Sequence, residues 1–254
     1  MIKYYVSLAF TFISLSLFSQ EKLKIEYEMY VKMDTEGVKV FVDGGGISQQ
    51  QIEKAVKEAG ERPSYYDLTV SPNESIFEYK EKVDNQQNEE QSSFFISFGP
   101  RGKYYKNLKE TLSLQESNSW NKDFVIKDSL KNYNWNITRK SKEILGYEVR
   151  KATSTLDSAA ITAWYAPKLT FKNGPENFWG LPGLILEIEN IQNTGDGGKQ
   201  IQTYQAISLN VASEKDKIER PKKGKVLSTK EFDEFNQEQI KKMQDMYGGG
   251  VEKD

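Results

Sequence analysis

The chain has 254 residues, with 37% hydrophobic and 12% aromatic side chains, enough for one large β-rich domain with a sizeable core. Its 35 Lys+Arg against 37 Asp+Glu leave no basic excess to neutralise phosphates, so nucleic acid is not an expected partner. Cys and His are both absent, which removes thiol nucleophiles, disulfide staples, zinc sites built on thiolate or imidazole, and Ser-His-Asp hydrolysis. Carboxylate, Lys, Tyr or Ser-Lys chemistry and oxygen-ligand metal binding remain open, and no cofactor is expected.

Met1 to Gln20 reads MIKYYVSLAFTFISLSLFSQ. One charge, Lys3, precedes an apolar and small-residue run to Phe18, the layout of a secretory signal. The run is short for a spanning helix, which needs ~20 apolar residues. Residues 1–19 are therefore taken as a leader with cleavage near Ser19, and 20–254 as one β-rich domain.

Leu23 to Lys32 alternates: Leu23, Ile25, Tyr27, Met29 and Val31 point one way, and Lys24, Glu26, Glu28 and Lys32 the other, as in a half-buried strand. A short strand at Val38–Val42 ends at Gly44–Gly46. Ser48 and Gln51 then have capping-box spacing for a helix that stops at Gly60. The GGGIS run lacks the Lys-Ser/Thr of a phosphate loop. From Tyr65 strands follow one another: Tyr66, Leu68 and Val70, then Ile76–Tyr79, with a polar loop over 83–93. Phe94–Phe98, one or two strands in Lys103–Gln115, Phe124–Ile126 and Trp135–Thr138 continue at the spacing of a meander.

Gly174 to Glu189, GPENFWGLPGLILEIE, carries the most constrained local chemistry. Leu181-Pro182-Gly183-Leu184 has the residues of a type II turn, with Pro at i+1 and Gly at i+2. Past it, Leu184, Leu186 and Ile188 are expected on one strand face and Ile185, Glu187 and Glu189 on the other. Asn193–Gly198 reads as a hairpin turn with too few carboxylates for calcium. Ile218–Lys225, with Pro221, reads as a linker. Ser228 and Glu231 form a second capping box for a helix of about 228–247, whose Phe232, Phe235, Met243 and Met246 share one side.

Five ordered blocks carry a resemblance to a known family. They are Trp135-Asn-Ile-Thr, Ile144-Leu-Gly146-Tyr147-Glu-Val-Arg-Lys-Ala152, Ala163-Trp164-Tyr165-Ala166, Gly174-Pro175, and the hexapeptide Gly180-Leu181-Pro182-Gly183-Leu184-Ile185. With these the chain resembles the GLPGLI family, covering roughly 135–189. Val149 stands where members often carry Cys, so no thiol role in relatives transfers. The resemblance implies an exported envelope protein of Gram-negative bacteria, periplasmic or associated with the outer membrane, and carries no catalytic residues. The strand pattern also looks like the curved half-barrel of lipoprotein carriers of the LolA type, a fold-level analogy only.

The expected fold is mainly β: a single curved antiparallel sheet or open half-barrel of about eight to eleven strands with two packing helices, a β-sandwich being the alternative. The expected function is non-enzymatic binding of an apolar ligand or an outer-membrane protein, with peripheral membrane association left open. The alternatives are a structural adaptor for a membrane receptor and a carboxylate-dependent enzyme using Glu187 and Glu189. The candidate binding surface comprises Gly146, Tyr147, Trp164, Tyr165, Gly174, Pro175, Phe178, Trp179 and the hexapeptide 180–185. Whether its aromatic residues are core or cavity lining stays open, and the Phe232, Phe235 and Met243 stripe is a candidate lid.

Overall fold

Alternating apolar and polar side chains supply most of the strands. The computed structural model describes residues 22–33, 49–81, 98–193 and 198–248. The leader, the Val38–Val42 strand with its glycines, Ser48, the 83–93 loop, most of Phe94–Phe98 and the 194–197 tip lie outside the described residues.

In chain order the elements are β1 (Leu23–Met33), α1 (Gln49–Glu61), β2 (Ser64–Val70), β3 (Glu74–Lys80), β4 (Tyr104–Asn107), β5 (Leu112–Ser119) and β6 (Lys122–Ser129). Then come β7 (Asn136–Ile144), β8 (Tyr147–Leu156), β9 (Ala159–Ala166), β10 (Leu184–Asn193), β11 (Lys199–Val211), β12 (Lys225–Leu227) and α2 (Thr229–Gly248). Among the described residues twelve strands form one sheet in the order β12-β6-β5-β4-β3-β2-β1-β11-β10-β9-β8-β7. The fold is thus one large open, curved sheet with two helices, and the sandwich alternative is set aside.

Connectivity accounts for the curvature. Residues 130–135 alone join β6 to β7, which lie ten strand spacings apart in the sheet order. Laid flat, that distance would be ~48 Å, whereas seven Cα steps span at most ~25 Å. The sheet must curl until its two margins approach. Tight hairpins add twist: Trp120-Asn121, Leu145-Gly146 and Asp157-Ser158 are two-residue loops with both φ angles positive, as type I′ turns require.

The concave face is the core. Ile25, Tyr27 and Met29 of β1, Tyr66 and Leu68 of β2, Phe77 of β3 and Tyr204 of β11 are all at most 1% exposed. The convex face carries a smaller cluster of Tyr105, Leu114 and Val125 with Ile218 against it. Residues 212–224, which include most of the expected Ile218–Lys225 linker, are an irregular strap over this face. Asp216 accepts from Lys24 at 2.8 Å, Arg220 donates to the Tyr105 hydroxyl at 3.0 Å, and Lys223 pairs with Asp123 at 2.6 Å. The linker expectation needs correction at its end, because Lys225–Leu227 forms β12, parallel to β6. The second capping box is as expected: Glu231 accepts from Ser228 N at 2.8 Å, and Glu231 N donates back to the Ser228 hydroxyl at 3.3 Å.

Two local expectations are overturned. Gly183 N donates to Leu181 O at 2.8 Å, while Leu184 N donates to Leu169 O at 2.9 Å. The corner is therefore a γ-type i→i+2 turn about Pro182 and not a type II turn, which would join Leu184 N to Leu181 O. Past the corner, β10 carries an irregularity between Ile185 and Glu187 against β9, so its alternation slips. Leu184, Ile185, Leu186 and Ile188 are all fully buried as a result.

Candidate functional site

The site is a bowl, the concave face of the sheet, together with the segment that covers it. The 17 residues between β9 and β10 contain no helix or strand and lie over this face, as does the 130–135 connection. A long irregular loop inside a domain must satisfy its backbone groups individually. Ile185 N donates to Asn173 O at 2.9 Å, Gly180 N to Lys172 O at 3.1 Å, and Phe178 N to Pro175 O at 3.0 Å. The two indoles clasp the covers together: Trp135 Nε1 donates to Trp179 O and Trp179 Nε1 to Lys131 O, each at 2.8 Å.

A polar row in the bowl anchors the segment. Ser75, Lys106 and Ser113 are register partners across β3, β4 and β5, and all three are buried. Ser75 donates to Asn173 Oδ1 at 3.1 Å and Ser113 to Asn177 Oδ1 at 2.8 Å. Between them the fully buried Lys106 ammonium donates to Gly174 O at 2.7 Å and Phe178 O at 3.0 Å. These bonds hold backbone that has no ladder of its own.

Glu176 is the second charged group inside. Its backbone sits at φ 42° and the residue as a whole is partly exposed, but its carboxylate points inward, accepting from the Tyr204 hydroxyl and from Gln202 Nε2 at 3.2 Å. Burial pushes this carboxyl up, opposed by those hydrogen bonds and by Lys106. Burial pushes the Lys106 ammonium well down, opposed by Glu176. The Tyr66, Tyr104, Tyr133 and Tyr204 hydroxyls are all pushed up by burial, with the Glu176 charge adding to each.

The structure scatters the sequence-selected residues over three environments. Gly174, Pro175, Phe178, Trp179, Gly180, Leu181, Pro182, Gly183, Leu184 and Ile185 belong to the cover or its junction with β10, and Tyr165 packs in the same core. Phe178 packs on Tyr133 at 5.4 Å between ring centres. Trp164 packs at the edge of that core, half-buried beneath the Lys142 ammonium at 4.5 Å. Gly146 and Tyr147 lie at the β7–β8 turn. Glu187 is held by Lys142 at 2.6 Å, and among the described residues no Asp/Glu cluster could hold a metal. Of the stripe offered as a lid, Phe232 and Phe235 pack on Phe124 of β6, at one margin of the sheet.

Lys106, Glu176, Gln202 and Tyr204 escape a reading of the sequence alone. For Glu176 a signal exists, a charge enclosed between Pro175 and Phe178 in the motif. Lys106 shows as an inward residue only once Tyr104 is known to face the bowl. A separate groove of about 420 Å³ lies at the rim, lined by polar and charged residues including Gln115, Glu116, Asn118 and Asp123.

A family model described as N-glycanase peptide, N-terminal domain, matches residues 100–224, just under half of the chain. No curated protein matches the sequence. Two crystal forms of PNGF-II align with TM-scores of 0.52 and 0.51 at 16% identity, covering 85% of this chain and 33% of PNGF-II. A LolA superfamily protein from Nitrosomonas europaea aligns at TM-score 0.29 and 10% identity over 80% of this chain and 92% of its own. The chain thus spans about a third of the length of PNGF-II, and at this identity what the two share is a fold.

Proposed function

We propose that this chain is an exported, non-enzymatic envelope protein of the GLPGLI type, which binds an apolar ligand in the bowl of its sheet. The observation that carries the reading is the cover. Among the described residues, the apolar centre of the concave face is closed by the irregular 167–183 segment, with α2 packed only at the Phe124 margin, so that centre can be uncovered without breaking the sheet. Burying an acyl chain contributes ~0.8 kcal/mol per CH₂, enough for a modest chain to repay displacement of one Phe side chain. Likeness to the N-terminal domain of an N-glycanase, and to only a third of PNGF-II, accords with a binding module.

A second reading is docking of an outer-membrane protein along the open edge of β7. There Ile137 is 48% exposed, and Arg139 and Lys140 have no ion-pair partner among the described residues. Organic extraction of protein purified without detergent, followed by mass spectrometry, tests the first reading. One lipid per chain, with tryptophan fluorescence that responds to added amphiphile, is expected. No extracted lipid and no fluorescence response would remove the apolar-ligand reading and leave the edge.

A further inference from the structure

Glu176 is an odd occupant for an aromatic bowl. Its carboxylate lies among Tyr204, Gln202, Tyr66 and Tyr104, while its backbone holds a left-handed conformation that suits Gly or Asn better. The pocket around it offers more donor capacity than it uses. Tyr66 is 1% exposed, stacks on Phe77 at 4.9 Å and meets the Tyr204 ring edge-on at 5.7 Å; its hydroxyl, with the Ser64 side chain near it, makes no hydrogen bond of ordinary geometry among the described residues. Gln202 Nε2 is steered toward the carboxylate by Tyr204 at 3.0 Å and by the Met29 sulfur at 3.4 Å. The Lys106 side chain, held by Gly174 O at 2.7 Å and Phe178 O at 3.0 Å, favours a negative charge at Glu176, while its own burial opposes its charged form.

We infer that the bowl contains a carboxylate-binding position for a fatty acid, and that Glu176 and Phe178 of the covering segment are its internal occupants. This rests on the apolar-ligand reading above and gives the ligand's polar end an identity. Two residues apart, Glu176 and Phe178 present a carboxylate and an apolar ring, the two chemistries a fatty acid combines in one molecule. A free carboxylate, untied from a strained backbone, can take hydrogen bonds from Tyr204 and Gln202 and also from the unused Tyr66 hydroxyl. Lys106 then keeps an anion to compensate it when Glu176 swings out to water. An alcohol or ester of the same chain length fills the same apolar volume but offers Lys106 no charge. Specificity for the acid over the neutral analogue should therefore be read at Glu176 and Lys106.

The test uses the mature chain purified without detergent, titrated with dodecanoate and with 1-dodecanol below micelle-forming concentrations. Binding is followed by tryptophan fluorescence and calorimetry. Glu176→Ala removes the internal competitor, and dodecanoate should bind at least tenfold tighter to it than to the unmodified chain, with less than a threefold change for dodecanol. Glu176→Gln, nearly isosteric and expected to fold even where the alanine variant does not, should shift dodecanoate affinity in the same direction. Adding Lys106→Met to Glu176→Ala should abolish the gain for the acid and spare the alcohol. Equal gains for acid and alcohol, or no gain in either Glu176 variant, overturn the carboxylate position while the apolar-ligand reading stands. Failure of both compounds to bind any variant removes that reading as well.

Discussion

Gly183→Ala tests the geometry of the covering segment most directly. A Cβ at this position would lie 2.7 Å from the Ala166 carbonyl carbon and 3.0 Å from Pro167 Cα, and nearer still to the Ala166 oxygen. All three are backbone atoms at the end of β9, whose Ala166 is the register partner of Leu184. No side-chain rotation relieves the contact, so β9 and β10 must part locally. Overpacking of this kind costs ~1–3 kcal/mol, and a ladder bond lost with it adds ~1 kcal/mol. The expected loss is ~2–4 kcal/mol, a fall of about 1 M in the urea midpoint at a slope of ~3 kcal/mol/M. Gly146→Ala is the control. That position also has positive φ, 77°, yet a Cβ there would meet nothing within 4 Å, so the space is open. Only the left-handed conformation is penalised, by ~1–2 kcal/mol. A Gly183→Ala midpoint shift no larger than that of Gly146→Ala would refute the close-approach argument and return the corner to simple turn chemistry.

Lys106→Met leaves Gly174 O and Phe178 O without their donor, at ~1–3 kcal/mol each, offset in part by removing a buried ammonium. A net loss of ~1–3 kcal/mol with a more solvent-exposed tryptophan emission is expected, and an unchanged melt would mean that the cover does not depend on this anchor. For Glu176 the carboxyl is raised in the folded chain, so the folded state holds its proton longer and this group's contribution declines as pH rises from about 4.5 through the raised value. The stability of Glu176→Gln relative to the unmodified chain should therefore rise across that window in urea melts at successive pH values; a relative fall would make Glu176–Lys106 a net stabilising pair. Export implies that intact mass of protein recovered from the periplasm begins near Gln20, and a chain that still begins at Met1 would count against it.

Local periodicity is the part of the fold that can be read from the sequence. The alternation in Leu23–Lys32 separates the buried Ile25, Tyr27, Met29 and Val31 from the partly exposed Lys24, Glu26 and Glu28. The Ser228–Glu231 box locates the start of α2, because a cap is a contact between residues three apart. Properties set by long-range register are not legible in this way. Lys106 in Tyr-Tyr-Lys-Asn looks like a surface residue until its pairing with Ser75 and Ser113 turns it inward. β12 is three residues long, and its sheet neighbour among the described residues is a strand about a hundred positions earlier. Trp164 is half-buried against the core while its ring also serves as a platform for Lys142.

The polar row also explains why so irregular a stretch can serve as the inner cover of a sheet. A helix would satisfy its own backbone and need only an apolar face, but a cover of Asn, Gly and Pro must borrow partners. Ser75, Lys106 and Ser113 reach across three strands to bond to Asn173, Gly174, Asn177 and Phe178, so the sheet supplies from its side chains what the segment lacks. Such a cover is held by a few discrete bonds and not by a cooperative ladder. It can therefore be released in steps, with the buried carboxylate of Glu176, which burial disfavours, as a natural first step.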